Sequence, residues 1–356
     1  MKAATLFSNV GIDEIYLDEA GIEVKVANEL LKDRADMYRR LHPKVNMIQG
    51  SITDDDIYQK VIKAAKGIEL LIATPPCQGM SVANAMKKSN DPRNTLITKV
   101  VDSINDLGPD HILIENVPGM AKSYINIDGD PVLILDYIKE NISPEYHIAY
   151  KVLNCKDYKT PQSRKRLIVL ISKKGKWIHP ESDGKEITVR EAIGHLPSIE
   201  SGEDSGMPWH KGKKANNNHI LWMRNTPTGK TAFENPVHYP KTVDKTTGEL
   251  RRIKGFATTY KRIEWDKPAA AITMMNGSIN SQNNVHPGSK QSDGTYSDAR
   301  VLSVRELLIL TGLPENYLDD KQDLNENLVR KVLGESFPPK FCLSMFETCP
   351  TQECFV

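Results

Sequence analysis

The chain has 356 residues, 26% of them charged, and a formal net charge of +1. This length can bury the cores of one large and one smaller domain, and the balanced charge by itself favours neither a nucleic acid nor a membrane partner. No apolar run reaches the roughly 18 residues of a membrane helix, and the start lacks the pattern of a secretory signal. Five cysteines without a C-x-x-C pair argue against a disulfide framework and a structural zinc site, so we expect a metal-free cytoplasmic protein.

Strand and helix patterns alternate along the first 171 residues. Short apolar runs predict strands at residues 3–7, 23–27, 45–48, 68–73, 111–114, 147–153 and 167–171. Amphipathic stretches such as 57–66 and 94–107 lie between them and predict helices. This alternation is typical of a doubly wound, mostly parallel sheet with helices on both faces. Because residues 154–166 leave no room for a crossover helix, we expect the last two strands to form a terminal antiparallel hairpin.

The periodicity fades after Lys176, and a different composition follows. Residues 190–299 are rich in Asn, Gly, Pro, Lys and Thr, which predicts a loop-rich second domain. From Met207 to Arg262, twelve Lys or Arg stand against three Asp or Glu, with aromatic residues between them. Cations with flat side chains are typical of a nucleic-acid surface, although a basic stretch is as often a solvated face. Helical periodicity returns at 303–312 and 325–333.

Cys77 directly follows the fourth apolar run, in the stretch ATPPCQG. In open α/β sheets, ligands bind at the carboxyl ends of the strands, which is where this thiol is expected to lie. Free cysteine is also among the most buried residue types. Taken alone, Cys77 is therefore consistent with either a nucleophile or a core thiol.

Acidic and basic side chains in two other stretches favour the interpretation of Cys77 as a nucleophile. Glu115 and Asn116 end the next apolar run, in ILIENV. We expect Glu115 either to lie at the same edge of the sheet as Cys77 or to interact favourably with the dipole of the following helix. Arg164 and Arg166 alternate in PQSRKR and leave the same face of an extended segment. They are either a solvated pair or face an anion such as Glu115 or a phosphate.

The chain start has the features of a nucleotide-like site. Residues 5–11 read as a strand that runs into a small-residue turn, and Glu29 follows the second strand, where an acid can accept hydrogen bonds from ribose hydroxyls. No G-x-G-x-x-G is present, which disfavours a dinucleotide. The stretch DPRNTL, residues 91–96, closes the loop after Cys77.

Together these stretches resemble the DNA (cytosine-5)-methyltransferase family, from Leu6 to about Lys340 and in the family's motif order. The resemblance is carried by PPCQG, DPRNTL, ENV, NCKDYKTPQSRKR, RVLSVRELLILTGLP and GESFPP. Three positions near the expected cofactor site depart from the family pattern. Asn9 replaces the first Gly of F-x-G-x-G, Ser51 replaces an acid, and Glu335 replaces an Asn. Asn tolerates left-handed backbone angles, so we expect the turn at Asn9 to form.

The resemblance implies an α/β S-adenosyl-L-methionine-dependent methyltransferase fold with a smaller, irregular target-recognition domain. Residues 1–190 and 325–356 would form the catalytic and cofactor-binding domain, and residues 191–324 the DNA-binding domain. The implied contacts to the cofactor come from Phe7, Val10, Gly11, Glu29, Ser51, Ile52, Pro76, Leu96 and Ser336. The implied contacts to the DNA substrate come from Gln78, Ser81, Arg93, Asn116 and Gln162.

The resemblance also implies a mechanism. The Cys77 thiolate adds to C6 of a flipped cytosine, which pushes electron density onto C5. Glu115 holds N3, Arg164 orients the base and Glu115, and Arg166 supports them. The segment 79–93 would cover the flipped base.

The expected partner is double-stranded DNA, bound by a monomer without membrane association. The compact architecture suggests a restriction-modification system, with a cognate restriction endonuclease that forms no stable complex. Two alternatives stay open. An RNA (tRNA) cytosine-5 methyltransferase has the same motifs, and a catalytically silent DNA-binding homologue would explain the departures at the cofactor site.

Overall fold

The computed structural model describes residues 1–76, 96–182 and 184–350. These residues form two compact units. The first unit comprises residues 1–76, 96–154, 165–182 and 339–350, and the second comprises residues 155–164 and 184–338. The sequence assigns residues 155–164, 184–190 and 325–338 to the catalytic domain, whereas the structure groups them with the second unit. The functional assignment of the two domains stays a prediction.

The strands and helices are short, and their bounds are as follows. The strands are β1 (Lys2–Leu6), β2 (Glu23–Glu29), β3 (Asn46–Gln49), β4 (Leu70–Ala73), β5 (His111–Asn116), β6 (Tyr124–Ile127), β7 (Asp130–Leu133), β8 (His147–Asn154), β9 (Gln162–Ser163), β10 (Lys165–Ser172), β11 (Lys241–Val243), β12 (Leu250–Arg252) and β13 (Ala269–Ala270). The α-helices are α1 (Lys32–Leu41), α2 (Asp55–Ala64), α3 (Leu96–Leu107), α4 (Ile134–Asn141), α5 (Val189–Ile193), α6 (Asn217–Arg224), α7 (Val304–Thr311), α8 (Glu326–Glu335) and α9 (Pro339–Met345).

The first unit is built on a seven-stranded sheet of order β3-β2-β1-β4-β5-β10-β8. The first five strands in that order run parallel to one another, and β10 runs antiparallel to both β5 and β8. The predicted doubly wound sheet with a terminal antiparallel hairpin is therefore confirmed. The carboxyl ends of β1, β2, β4 and β5 share one edge, and Lys165–Arg166, where β10 begins, lies beside the end of β5.

Continuous apolar sequence explains the central strands. Every residue of β4 and β5 is buried, as expected for strands that are covered on both faces. On one face, side chains of α2, α3 and α4 pack with β4, β5 and β10 in one large apolar cluster. On the other face, Ala35 and Tyr38 of α1 pack against Ala27 and Met47. Helix α9 contacts the short 3-10 turn Ile12–Glu14.

The second unit has little regular structure, as its composition predicts. Its apolar core gathers Trp222, Met223, Tyr260, Val285 and Val301 from distant parts of the chain. The predicted helix at 303–312 is present as α7, which starts with a capping box of Ser303 and Glu306 and ends at Gly312 with φ of 90°. Within the described residues no helix has the length and apolarity to cross a bilayer.

Buried charged side chains connect the loops in the interior of the second unit. Arg300 is fully buried and donates from Nη1 to Glu306 Oε2 at 2.8 Å and from Nη2 to Asp298 Oδ1 at 2.9 Å. Arg262, also fully buried, donates to the carbonyl oxygens of Met223, His286 and Asp298. These bonds fix loops that lack a regular backbone ladder of their own.

Candidate active site

Glu115 lies at the carboxyl end of β5 and is paired with Arg166. The antiparallel register places Ile168 opposite Glu115 and Leu167 opposite Asn116, so Arg166 follows at the very end of β5. Arg166 Nε lies 2.6 Å from Glu115 Oε1, and both side chains are largely buried. An ion pair this close and this buried restricts the direction of the carboxylate.

Arg164 lies in the second unit and has backbone partners there. Its Nη1 donates to the carbonyl of Ile272 at 2.8 Å, and its Nη2 donates to the carbonyl of Gly334 at 3.1 Å. The resemblance implies that Arg164 orients Glu115 with Arg166 in support, and the guanidinium seen on Glu115 is that of Arg166. The chain passes from the second unit to the first between the two arginines, and their predicted common face stays a prediction.

Asn116 joins the end of β5 to the stretch that leads to the predicted nucleophile. Its Nδ2 donates to the carbonyl of Pro75 at 2.9 Å, and its Oδ1 accepts from the backbone N–H of Val117. Pro75 is two residues before Cys77 in the sequence, and this bond fixes the backbone at Pro75. A contact of Asn116 with DNA stays a prediction.

Gln162 is similarly engaged within the second unit. Its Nε2 donates to the carbonyl of Leu310 at 3.3 Å, and its Oε1 accepts from the backbone N–H of Ile272. The side chain is almost fully buried. Its predicted contact with DNA is untested.

Four predicted site residues lie outside the described residues. They are the nucleophile Cys77 and the DNA-contacting residues Gln78, Ser81 and Arg93. The described chain ends at Pro76 and begins again at Leu96, so these two predicted cofactor contacts border that segment.

The turn after β1 adopts unusual backbone angles. Phe7, Asn9 and Gly11 have φ of 60°, 50° and 70°, so Asn9 reaches the left-handed region where the family pattern has glycine. Gly11 is required for a second reason, because a Cβ there would lie 2.5 Å from His42 Nε2 and 2.7 Å from Tyr38 Cε2. The departure at Asn9 therefore leaves the turn intact.

Glu29 anchors this turn from the end of β2. Its Oε2 accepts from the backbone N–H of Asn9 at 2.9 Å, and its Oε1 accepts from that of Leu31 at 2.8 Å. Thr74 Oγ1, after β4, donates to the carbonyl of Phe7 at 3.1 Å. Three strand ends are thus hydrogen-bonded around one turn, and a carboxylate lies among them.

The other predicted cofactor residues have different environments. Val10 is fully buried and Ile52 is 3% exposed, so both fill the interior beneath the turn. Ser51 Oγ lies 2.7 Å from Thr53 Oγ1 in an exposed position. Ser336, in the second unit, donates from Oγ to the carbonyl of Leu333 at 3.0 Å. Their contacts with a cofactor stay predictions.

Two buried acids next to this turn were missed by the sequence reasoning. Glu14 accepts from Thr5 Oγ1 at 2.9 Å and from the Tyr38 hydroxyl. Burial raises the pKa of Glu14 to about 8, with the charge of Asp13 adding to the effect. Burial likewise raises the pKa of Asp13 to about 7, and the charge of Glu115 contributes. The sequence contains a signal for these acids, because Asp13 and Glu14 are adjacent within the apolar pattern GIDEIYL, and buried acids are unusual.

Comparison with known proteins decides the family. Residues 1–350 match the family model described as C-5 cytosine-specific DNA methylase. The chain belongs to this family. The predictions of the family and of the enzyme class, DNA (cytosine-5)-methyltransferase, are confirmed.

Relatives of this C-5 cytosine-specific DNA methylase are similar over nearly their full length. The Type II methyltransferase M1.HgaI of Avibacterium volantium is 47% identical over 341 residues, which cover 94% of each chain. The Type II methyltransferase M1.HphI of Haemophilus parahaemolyticus is 27% identical over 96% of this chain and 84% of its own. The solved Entamoeba histolytica methyltransferase EhMeth has the same fold, with a TM-score of 0.63 and 15% identity over 98% of this chain and 97% of its own.

Proposed function

We propose that this methylase transfers a methyl group from S-adenosyl-L-methionine to C5 of one cytosine within a defined sequence of double-stranded DNA. Its biological role would be the modification of host DNA in a restriction-modification system, in the cytoplasm and alongside a restriction endonuclease that reads the same sequence. The relatives named Type II methyltransferases support this role. The observation that carries the proposal is the Glu115–Arg166 pair at the end of β5, beside the Asn116 bond to Pro75.

Cys77 is proposed as the nucleophile. Its thiolate adds to C6 of the cytosine, so that a Sγ–C6 bond forms and the ring π electrons move toward C5. After the methyl group has joined C5, a base removes the C5 proton, the C5–C6 double bond forms again and the Sγ–C6 bond breaks. The Asn116 bond to Pro75 supports this assignment because it fixes the backbone two residues before the thiol.

Glu115 is proposed to hold N3 of the cytosine while charge develops in the ring. Arg166 Nε lies 2.6 Å from Oε1 of Glu115, and this ion pair restricts the direction of the carboxylate. Arg166 is therefore a positioning residue for Glu115. The target base must leave the duplex to reach this carboxylate, which costs a few kcal/mol of stacking and pairing.

The strand ends of β1, β2 and β4 fit the proposed cofactor. Phe7 offers an aromatic ring at the start of the turn, and Glu29 offers a carboxylate of the kind that accepts hydrogen bonds from ribose hydroxyls. S-adenosyl-L-methionine, when bound, supplies a methyl carbon that its sulfonium group activates toward a nucleophile. The chain's contribution is to hold that group at the edge of the sheet that ends in Glu115.

The proposal is tested by trapping the covalent adduct. Bisulfite sequencing of DNA from cells that express the protein identifies the methylated site, and a duplex with 5-fluorocytosine at that site is then incubated with enzyme and cofactor. We expect a stable adduct on Cys77, because fluorine cannot leave as a proton does. Cys77→Ala should bind DNA without forming the adduct, whereas Cys349→Ala, at another free cysteine, should form it normally.

Three results would contradict the proposal. An adduct that still forms in Cys77→Ala would remove Cys77 from its role. Methylation of tRNA without methylation of duplex DNA would favour the RNA enzyme. No heat on titration with S-adenosyl-L-methionine would indicate a silent DNA-binding homologue.

A further inference from the structure

The two-stranded ribbon of β11 and β12 is exposed on both faces. Its six residues, Lys241–Val243 and Leu250–Arg252, are all exposed, and the two strands pair only with each other among the described residues. An isolated two-stranded ribbon in water is marginally stable, because it buries little apolar surface. The exposed side chains of the ribbon are therefore available to a partner.

The register of the ribbon separates its side chains into two different faces. Lys241 pairs with Arg252, Thr242 with Arg251, and Val243 with Leu250. Because side chains alternate along a strand, Lys241, Val243, Leu250 and Arg252 share one face, which we call the groove face. Thr242 and Arg251 lie on the other.

The groove face combines opposed cations with exposed apolar side chains. Lys241 and Arg252 stand directly opposite each other, an arrangement that is destabilising unless an anion lies between the two charges. Both lie over the ring of Tyr239, with Arg252 4.2 Å from its centroid. Val243 is 54% exposed and Leu250 is 64% exposed. The chemistry of this face suits a ligand with phosphates at its rim and apolar groups between them.

On the opposite face and at the tip of the ribbon, Arg251 and Asp244 have partners within the ribbon itself. Arg251 Nε lies 3.4 Å from Asp244 Oδ2. Asp244 also holds the tip, because its Oδ1 accepts from the backbone N–H of Thr246 and its backbone N–H donates to the carbonyl of Glu249. The ribbon is therefore pre-shaped. On the groove face, Arg252 Nη1 donates to the carbonyl of Phe233 at 3.2 Å, and neither Lys241 nor Arg252 has an ion pair with a carboxylate of the described residues.

We propose that the groove face enters the major groove of the target duplex and reads part of the recognised sequence. This inference rests on the proposed DNA substrate. The major groove is about 12 Å wide and admits a two-stranded ribbon. Val243 and Leu250 adjoin the tip and reach the base edges, where a thymine methyl group is their natural partner. Lys241 and Arg252 lie farther from the tip and bind phosphates on either side of the groove.

The two halves of the groove face have different effects on binding. Removing a phosphate contact weakens binding to all sequences alike and lowers the salt dependence, with a slope change of about 0.9 per contact. Removing an apolar base contact changes which sequences are accepted. Two double variants, Lys241→Ala/Arg252→Ala and Val243→Ala/Leu250→Ala, therefore separate these contributions.

The experiment measures methylated sites and DNA affinity together. Cells that express each variant are sequenced for 5-methylcytosine, and the affinity of purified protein for the methylated duplex is measured at several salt concentrations. The apolar variant should accept new sites that differ at one base pair, with discrimination there reduced about tenfold or more. The cationic variant should keep the recognised sequence, bind about 10- to 100-fold more weakly and lose about two units of salt slope. Matched controls are Ile178→Ala and Lys66→Ala, exposed positions of the first unit, which should behave as wild type.

Unchanged sites, affinity and slope in both double variants would overturn the inference. Loss of methylation in the apolar variant at every site, with no new site accepted, would overturn it too. A wild-type enzyme that methylates no duplex DNA would contradict the proposed function itself, and that result is visible in the same sequencing before any variant is compared.

Discussion

Asn116 Nδ2 donates to the carbonyl of Pro75 at 2.9 Å and so ties the end of β5 to the backbone that precedes Cys77. Two neighbouring strand ends are thereby locked together by a single buried side chain. Glu115 belongs to one of these ends, and the chain continues from the other toward the predicted nucleophile, so we expect this bond to matter for catalysis.

Asn116→Ala should lower kcat strongly and change KM only slightly. The variant leaves the Pro75 carbonyl without this donor, and a shift of about 1 Å at a reacting group costs up to about 100-fold in rate. Steady-state kinetics with DNA and S-adenosyl-L-methionine separates the two constants. Asn141→Ala is the control, because Asn141 Nδ2 donates to the carbonyl of Tyr137 in its own helix. Equal kinetics in both variants would contradict the positioning role.

Arg166→Lys should reduce single-turnover methyl transfer by roughly 10- to 100-fold although the charge is retained. A lysine ammonium lacks the planar geometry with which the guanidinium holds the Glu115 carboxylate. Rapid-quench measurement of one turnover avoids any effect of product release. A wild-type rate in this variant would show that charge alone is sufficient at this position.

Gly11→Ala should weaken cofactor binding and lower the free energy of unfolding by about 1–3 kcal/mol from overpacking. The added Cβ would lie 2.5 Å from His42 Nε2. Gly21→Ala isolates the backbone contribution, because Gly21 has φ of 67° and a Cβ added there would meet no atom of the described residues within 4 Å. Urea unfolding and calorimetric titration measure both effects. Equal losses in the two variants would assign the whole cost to the backbone angle.

The stability of the protein should fall as pH rises toward 8. In the unfolded chain, Asp13 and Glu14 lose their protons near pH 4, whereas in the folded chain burial raises the pKa values to about 7 and about 8. Between these limits only the folded state holds the protons, so the free energy of unfolding decreases with pH, by up to about 1.4 kcal/mol per pH unit for each proton.

This pH dependence can be measured apart from other groups. The pKa of His42 is lowered to about 4 by burial, so its opposing contribution is complete by about pH 7. Burial also raises the pKa values of the Cys342 and Cys349 thiols, which steepens the slope above about pH 8. Urea unfolding between pH 7 and 8 should therefore show a negative slope that Glu14→Gln reduces. The exposed Glu19→Gln should leave it unchanged. A flat wild-type profile would contradict the protonation of these acids.

Arg300→Ala should destabilise the second unit by about 3–5 kcal/mol, because Asp298 and Glu306 would stay buried without their partner. The control is Arg190→Ala, which breaks the exposed pair with Asp266 and should cost less than about 1 kcal/mol. Chemical unfolding followed by Trp fluorescence reports both. Similar losses in the two variants would show that burial does not decide the contribution of these pairs.

Local patterns predicted the sheet of the first unit well. The apolar runs at 3–7, 68–73 and 111–114 correspond to β1, β4 and β5, because strands covered on both faces need continuous apolar sequence. The short connection after β8 correctly indicated an antiparallel partner. The family motifs then indicated Glu115 and Arg166, which the structure brings together.

Long-range pairing could not be read in this way. Gln162–Ser163 pairs with Ala269–Ala270, more than 100 residues later, and this pairing groups Arg164 with the second unit. Alternation along the chain predicted a common face for Arg164 and Arg166, but it did not indicate the partners of Arg164, which are the carbonyls of Ile272 and Gly334. The buried acids after Gly11 depend on α9, whose position no local pattern specifies.

The contact between α9 and Ile12–Glu14 has a consequence for biosynthesis. The turn with its two acids is translated early, but its cover, Pro339–Met345, is synthesised more than 300 residues later. We expect the nascent first unit to keep Asp13 and Glu14 in water, ionised, until α9 has been synthesised. Proton uptake by the turn would then report the packing of α9 against it.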